Sequence, residues 1–231
     1  VGMGVKGVTS LAKAISSMAV LKKVALSQNK LFGADEYGNH TIDADQSGWA
    51  ALCDALPGSP VEELDVADVG MGVKGVTSLA KAMSAGAVLA SLNLSGNTIT
   101  DYDRDLSGLS ALGEAIVPSK TLASINLSDC GIKVKGVTEV AKFISAGAVL
   151  NSLALGSNPI GDEAMIQLLE VLKDVSLTHL DISKTKCGVS TASKLAELLS
   201  AETKFKAVVN SLTVDSTRGC ILDAMESLAM H

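Results

Sequence analysis

Aromatic side chains are nearly missing from this chain of 231 residues: one tryptophan, two tyrosines and three phenylalanines make up 3% of it. Its interior must therefore be built from Leu, Val, Ile and Ala, whose small volumes suit thin, regularly stacked layers. Cysteine is also scarce. Cys53, Cys130, Cys187 and Cys220 stand far apart with no CxxC pair, which argues against a zinc site or a disulfide framework and for buried free thiols. That reading places the chain in the cytoplasm or another reducing intracellular compartment. Long apolar runs are lacking too, because Lys, Ser, Asn and Gly interrupt each stretch well short of the ~20 residues a spanning helix needs. Positive charge is not gathered anywhere: the net charge is −6 and the lysines are scattered, so nucleic acid is not an expected partner. No GxSxG, HExxH or P-loop occurs, and the three histidines, His40, His179 and His231, fall in unrelated contexts. Nothing points to an enzyme or a cofactor.

What is present is repetition. VGMGVKGVTSLAKA opens at Val1 and returns unchanged at Val69, and a blurred copy, KVKGVTEVAKF, begins at Lys133. A second phrase recurs seven times: LKKVALSQN from Leu21, VEELDVADV from Val61, LASLNLSGN from Leu89, LASINLSDC from Leu122, LNSLALGSN from Leu150, LTHLDISKT from Leu177 and VNSLTVDST from Val209. Its frame is LxxLxLxxN. The LxL core alternates with period two, as a strand does when one face packs inward and the other meets water, so Leu92 and Leu94 point in while Asn93 and Ser95 point out. Between these phrases the period changes. Val76, Leu79, Ala80 and Met83 fall at i, i+3, i+4 and i+7, one face of a helix. Strand and helix alternating along the chain give parallel strands joined by helical crossovers.

The LxxLxLxxN phrase resembles the leucine-rich repeat, and starts spaced 40, 28, 33, 28, 27 and 32 residues apart resemble its ribonuclease-inhibitor-like class. The resemblance implies an α/β solenoid: a curved horseshoe with parallel strands on the concave face and helices on the convex face. It also implies that Asn29, Asn97 and Asn158 bond the backbone of the following bend, one stacked on the next, with Cys130 and Thr185 as tolerated replacements. Residues 1–231 read as a single array of about seven repeats. Val1 begins partway through a unit and the chain stops at His231 on a helical pattern, ILDAMESLAM, so the expectation is a fragment of a longer protein without either capping repeat.

Two surfaces are candidates for partners. The first is the concave face, whose outward residues include Asp65, Asp68, Asn93, Asn126, Asp129, His179, Asp181 and Asp215. It is small, polar and mildly acidic, and it lacks the Trp, Tyr and Arg that usually anchor interfaces. The second is the edge formed by two long inserts, after Leu31 and after Ile99, which carries Tyr37, His40, Trp49 and Tyr102. In these inserts Asp43 matches Asp103 and Asp45 matches Asp105, each followed by a Ser-Gly pair. The DxDxSG spacing copies the front of a calcium loop, but its twelfth place is Asp54 inside a helical pattern. Capping of helix N-termini by Asp45 or Ser47, and by Asp105 or Ser107, is the favoured reading. Asp43, Asp45, Asp103 and Asp105 are what a metal ion would have to use.

His179 and Asp181 share a strand face, and with no nucleophile beside them they read as surface residues. The expected function is a non-catalytic protein–protein interaction module. A structural or scaffold subunit of a large assembly is the alternative, and an accessory repeat domain of an enzyme or GTPase regulator is a third.

Overall fold

The computed structural model describes residues 2–200 and 202–214. Asp215, Cys220, His231 and the ILDAMESLAM pattern lie outside the described residues. The elements run α1 (Val5–Ile15), β1 (Lys23–Ala25), α2 (Ser47–Ala55), β2 (Glu63–Asp65), α3 (Val73–Ser84), β3 (Ser91–Asn93), α4 (Ser107–Ile116) and β4 (Ser124–Asn126). They continue α5 (Val134–Ser145), β5 (Ser152–Ala154), α6 (Asp162–Leu172), β6 (His179–Asp181), α7 (Val189–Ser200), α8 (Lys204–Val208) and β7 (Ser211–Thr213). The strands form one parallel sheet in the order β1-β2-β3-β4-β5-β6-β7. This is the expected α/β solenoid. Among the described residues no helix is long and apolar enough to cross a membrane.

Register follows from the leucine frame. Val24, Leu64, Leu92, Ile125, Leu153 and Leu180 are paired across successive strands and are all buried. A slip of one residue would turn that whole row to solvent. Behind it Val76, Leu79, Ala80 and Met83 of α3 face the sheet, as the helical period predicts. Strands stack at about 4.8 Å whereas helices need 8–10 Å, so a stack with both on opposite faces bends with the sheet inside.

The bend after each strand passes through left-handed backbone at Gln28, Asp68, Gly96, Asp129, Ser157 and Lys184. The asparagines secure these bends, but not as a stack of one on the next. Asn97 Oδ1 accepts the amides of Val69 at 3.2 Å and Met71 at 3.0 Å, while Nδ2 donates to the carbonyls of Val66 and Leu94, both at 2.8 Å. Asn158 does the same for Cys130, Ile132, Leu127 and Leu155. One amide side chain has enough acceptor and donor capacity for two bends. Asparagine is therefore needed only in alternate repeats, and Val69 and Cys130 occupy the rungs between.

The helices show the same period of two. Close approach occurs within the pairs α1/α2, α3/α4 and α5/α6; in the first two a glycine lets the backbones meet, and in the third Ala164 takes its place. A Cβ on Gly48 would lie 2.5 Å from the Val5 carbonyl oxygen, and one on Gly108 would lie 2.4 Å from Val76 Cγ1. Between the pairs run seams, α2–α3, α4–α5 and α6–α7.

Candidate interaction surfaces

The seams are tied by aspartates. Asp43 leaves the first insert in left-handed backbone, φ 53°, and presents its carboxylate to the start of α3, one repeat away. Oδ1 accepts the amides of Gly72 at 2.9 Å and Gly75 at 3.1 Å, and Oδ2 accepts that of Lys74 at 2.7 Å. Asp103 serves the amides of Lys133, Lys135 and Gly136 ahead of and within α5 at 2.8–3.1 Å. Asp162 accepts the amides of Gly188 at 2.7 Å and Thr191 at 3.1 Å, and the Thr191 hydroxyl at 2.5 Å. Each carboxylate meets orphan N–H groups at the positive end of a helix. Burial disfavours the charged form of Asp162, but the Thr191 hydroxyl and the two amides outweigh it and hold its carboxyl below the usual range.

The sequence signs of these clamps are an aspartate in every second repeat and a helix start 27 to 31 residues later (73−43=30, 134−103=31, 189−162=27). Sequence reasoning looked for caps within an insert and missed the ones between repeats. Asp45 and Asp105 do act locally, each accepting the amide and hydroxyl of Ser47 or Ser107. Those hydroxyls, then the amides, hold both carboxyls below their ordinary range. The four aspartates that a metal ion would have to use thus give their oxygens to protein N–H and O–H donors. Among the described residues no three His, Cys, Asp or Glu side chains are grouped to hold a metal ion.

At the insert edge the expected aromatic group separates. Trp49 is 0% exposed, its indole N–H donates to the Gly75 carbonyl at 2.8 Å and its ring lies 5.8 Å from that of Phe32. It is a core residue, which corrects the expectation that it faces a partner. The first turn of α2 turns it inward, where the Gly75 carbonyl satisfies the one polar atom of an otherwise apolar ring. Tyr37 is 83% exposed on a small hairpin closed by an Ala34–His40 bridge. Asp35 braces that hairpin by accepting the amides of Tyr37 and Asn39. Tyr102 is 54% exposed, within three successive left-handed residues, Asp101 to Asp103. It lies over Gly131, where a Cβ would come within 3.1 Å of its ring. His40 Nε2 lies 3.3 Å from Asp68 Oδ1, while its Nδ1 is buried without a partner. The proton of the neutral ring therefore belongs on Nε2, since a buried N–H with no acceptor is the costlier arrangement.

On the concave face most of the expected polar residues are already committed. Asp65 Oδ1 accepts the Ala67 amide and the side-chain amide of Asn93, at 3.2 and 2.9 Å. Asn93, Asn126 and Asp181 accept the amides of Ser95, Ser128 and Ser183. His179 Nδ1 lies 2.7 Å from the Thr178 hydroxyl, which itself donates to the Asn151 carbonyl, so the ring nitrogen is the donor. His179 and Asp181 face different partners and form no dyad. Asp68 and Asp129 are both exposed and flank Gly96 in a shallow groove of about 480 Å³ shared with Gln28 and Asn93.

The thiols of Cys53, Cys130 and Cys187 are free and buried. Burial raises all three, and pushes that of Cys130 up to about 12.

A family model for the leucine-rich repeat matches residues 88–102 and 148–169. No curated protein matches the sequence. Among solved structures, actin-binding site 2 of leiomodin-1 is similar with a TM-score of 0.53 and 17% identity, over 71% of this chain and 86% of that one. A TLR13–ssRNA13 complex is similar with a TM-score of 0.41 and 16% identity, over 90% of this chain and 34% of the receptor chain. The likeness to leiomodin-1, at 17% identity, speaks for the fold alone.

Proposed function

We propose that this leucine-rich repeat protein is a non-catalytic interaction module that binds a protein carrying basic residues, with Asp68 and Asp129 as its contact point on the concave face. The supporting observation is the division of labour among the concave carboxylates. Asp65 and Asp181 are held in turn hydrogen bonds, whereas Asp68 and Asp129 are exposed on either side of Gly96. Lysine or arginine entering that groove would meet the Asp129 carboxylate and the Asp68 oxygen that His40 does not engage. Tyr37, Tyr102 and His40 would extend the contact along the insert edge. The buried free thiols support a reducing intracellular compartment.

The test is capture from a cell extract by the wild-type chain and by Asp68→Lys/Asp129→Lys. A protein retained by the first and lost by the second, and released by salt, supports the reading. Retention that ignores both the charge reversal and the salt overturns it. A second reading, a structural subunit of an assembly, is favoured by the lack of Trp, Tyr and Arg along the concave strands.

A further inference from the structure

The seam between α4 and α5 is an incomplete copy of the seam between α6 and α7. Their buried positions coincide at a constant offset: Leu109, Leu112, Gly113 and Ile116 correspond to Met165, Leu168, Leu169 and Leu172. Val137, Val140 and Phe143 correspond in the same way to Ala192, Leu195 and Leu198.

In the α6–α7 seam Leu169 and Leu198 are 0% and 3% exposed. Lys194 of α7 forms ion pairs with both Glu170 and Glu197, and Lys173 at the end of α6 pairs with Glu170 at 3.4 Å, so two lysines face two glutamates. Burial of the seam and neutralisation of its charge are complete from within. In the α4–α5 seam the place of Leu169 is taken by Gly113. Phe143 leans towards it, 2.9 Å from where a Cβ on Gly113 would stand, and a groove of about 210 Å³ remains above the pair, walled by Val117 and Ala146. The charges are incomplete as well. Glu114 takes the place of Glu170, but Glu139 stands where the other seam has Lys194. Glu139 is paired with Lys142 at 2.6 Å, and Val117 stands where the other seam has Lys173, so among the described residues Glu114 has no ion-pair partner. Relative to its neighbour, this seam is short of one aliphatic side chain and one cation.

We propose that the α4–α5 seam is a docking site on the convex face for a protein segment that inserts a leucine-sized side chain beside a lysine or arginine. The volume supports one anchor residue, since sites for whole small molecules run from about 300 Å³ upwards. The chemistry of the occupant follows from what the chain itself places in the equivalent seam. This surface is separate from the concave groove and stands whether or not that groove binds anything.

Isohexylammonium, an aliphatic branch with a terminal cation, is a minimal probe, with isohexanol and isohexanoate as its neutral and anionic counterparts. Titrated into the intact chain and followed by amide NMR, the ammonium compound is expected to give saturable shifts at Gly113 and Phe143. It should bind about two- to fivefold more tightly than the alcohol, the range of one exposed ion pair. The carboxylate should leave these amides unmoved. Glu139→Lys should remove the preference for the ammonium compound while leaving the alcohol's shifts in place. Gly113→Leu/Phe143→Leu, which copies the α6–α7 pair, should abolish both, and the spectrum of each variant shows whether it has kept its fold. Absence of saturable shifts at these amides in the wild type overturns the site, and equal binding of the ammonium compound and the alcohol overturns its cationic half.

Discussion

Replacing Asp43 with alanine tests the clamp between repeats. Three amides at the head of α3, those of Gly72, Lys74 and Gly75, depend on this carboxylate. Loss of a capping oxygen costs about 1 kcal/mol, and loss of a negative charge at the positive helix end about 0.5 kcal/mol. Asp43 also sits in left-handed backbone, which alanine tolerates less well by about 1 kcal/mol. The expected destabilisation is therefore about 2.5 kcal/mol, a drop of about 5–10 °C in Tm for a chain of this size. Urea titration should show a lower midpoint at unchanged slope. Hydrogen exchange should show the Lys74 and Gly75 amides losing more protection than those of α4, because the damage begins at one seam. Asp43→Asn keeps an acceptor oxygen and the left-handed conformation, and should cost about 1 kcal/mol. An alanine variant within about 0.5 kcal/mol of wild type, or an asparagine variant as damaged as alanine, would refute the clamp.

Asp162 gives a pH signature. Its carboxyl titrates lower in the folded chain than in the unfolded one, so its stabilising effect is present above the unfolded value, about 4, and is lost as pH falls through the lower folded value. The gap in urea midpoint between wild type and Asp162→Asn should therefore be widest near neutrality and narrow on acidification, and a constant gap would contradict it. The thiols make the remaining prediction. Under native conditions at mildly alkaline pH an aromatic disulfide reagent should leave Cys53, Cys130 and Cys187 unmodified and label them only once the chain unfolds, as read by peptide mass spectrometry. Rapid native labelling of Cys130 would contradict its burial.

The strands and the core faces of the helices were legible in the sequence because their causes are local. Leu92 and Leu94 are two residues apart, and Val76 to Met83 complete two helical turns. The positions that escaped sequence reasoning depend on what a residue meets about thirty positions later. Asp43 looks like part of an ion loop until the head of α3 is set against it. Trp49 looks like an exposed anchor in an insert until the Gly75 carbonyl is found above its indole nitrogen. Asn97 was recognised as a bend residue, but its service to the neighbouring bend at Val69 appears only when the repeats are stacked. Both tyrosines are exposed on the insert edge, as their place in polar loops suggests.

The clamps also constrain how such an array can change its copy number. A clamping carboxylate and the helix whose amides it accepts belong to repeats of different kinds, so excising or inserting a single unit would bring two of one kind together. One carboxylate would then face a helix start not shaped for it. Whole pairs can be gained or lost without disturbing that grammar, and the phrase VGMGVKGVTSLAKA returns after 69−1=68 residues, the length of one such pair. Lengthening this scaffold by design therefore calls for units of two.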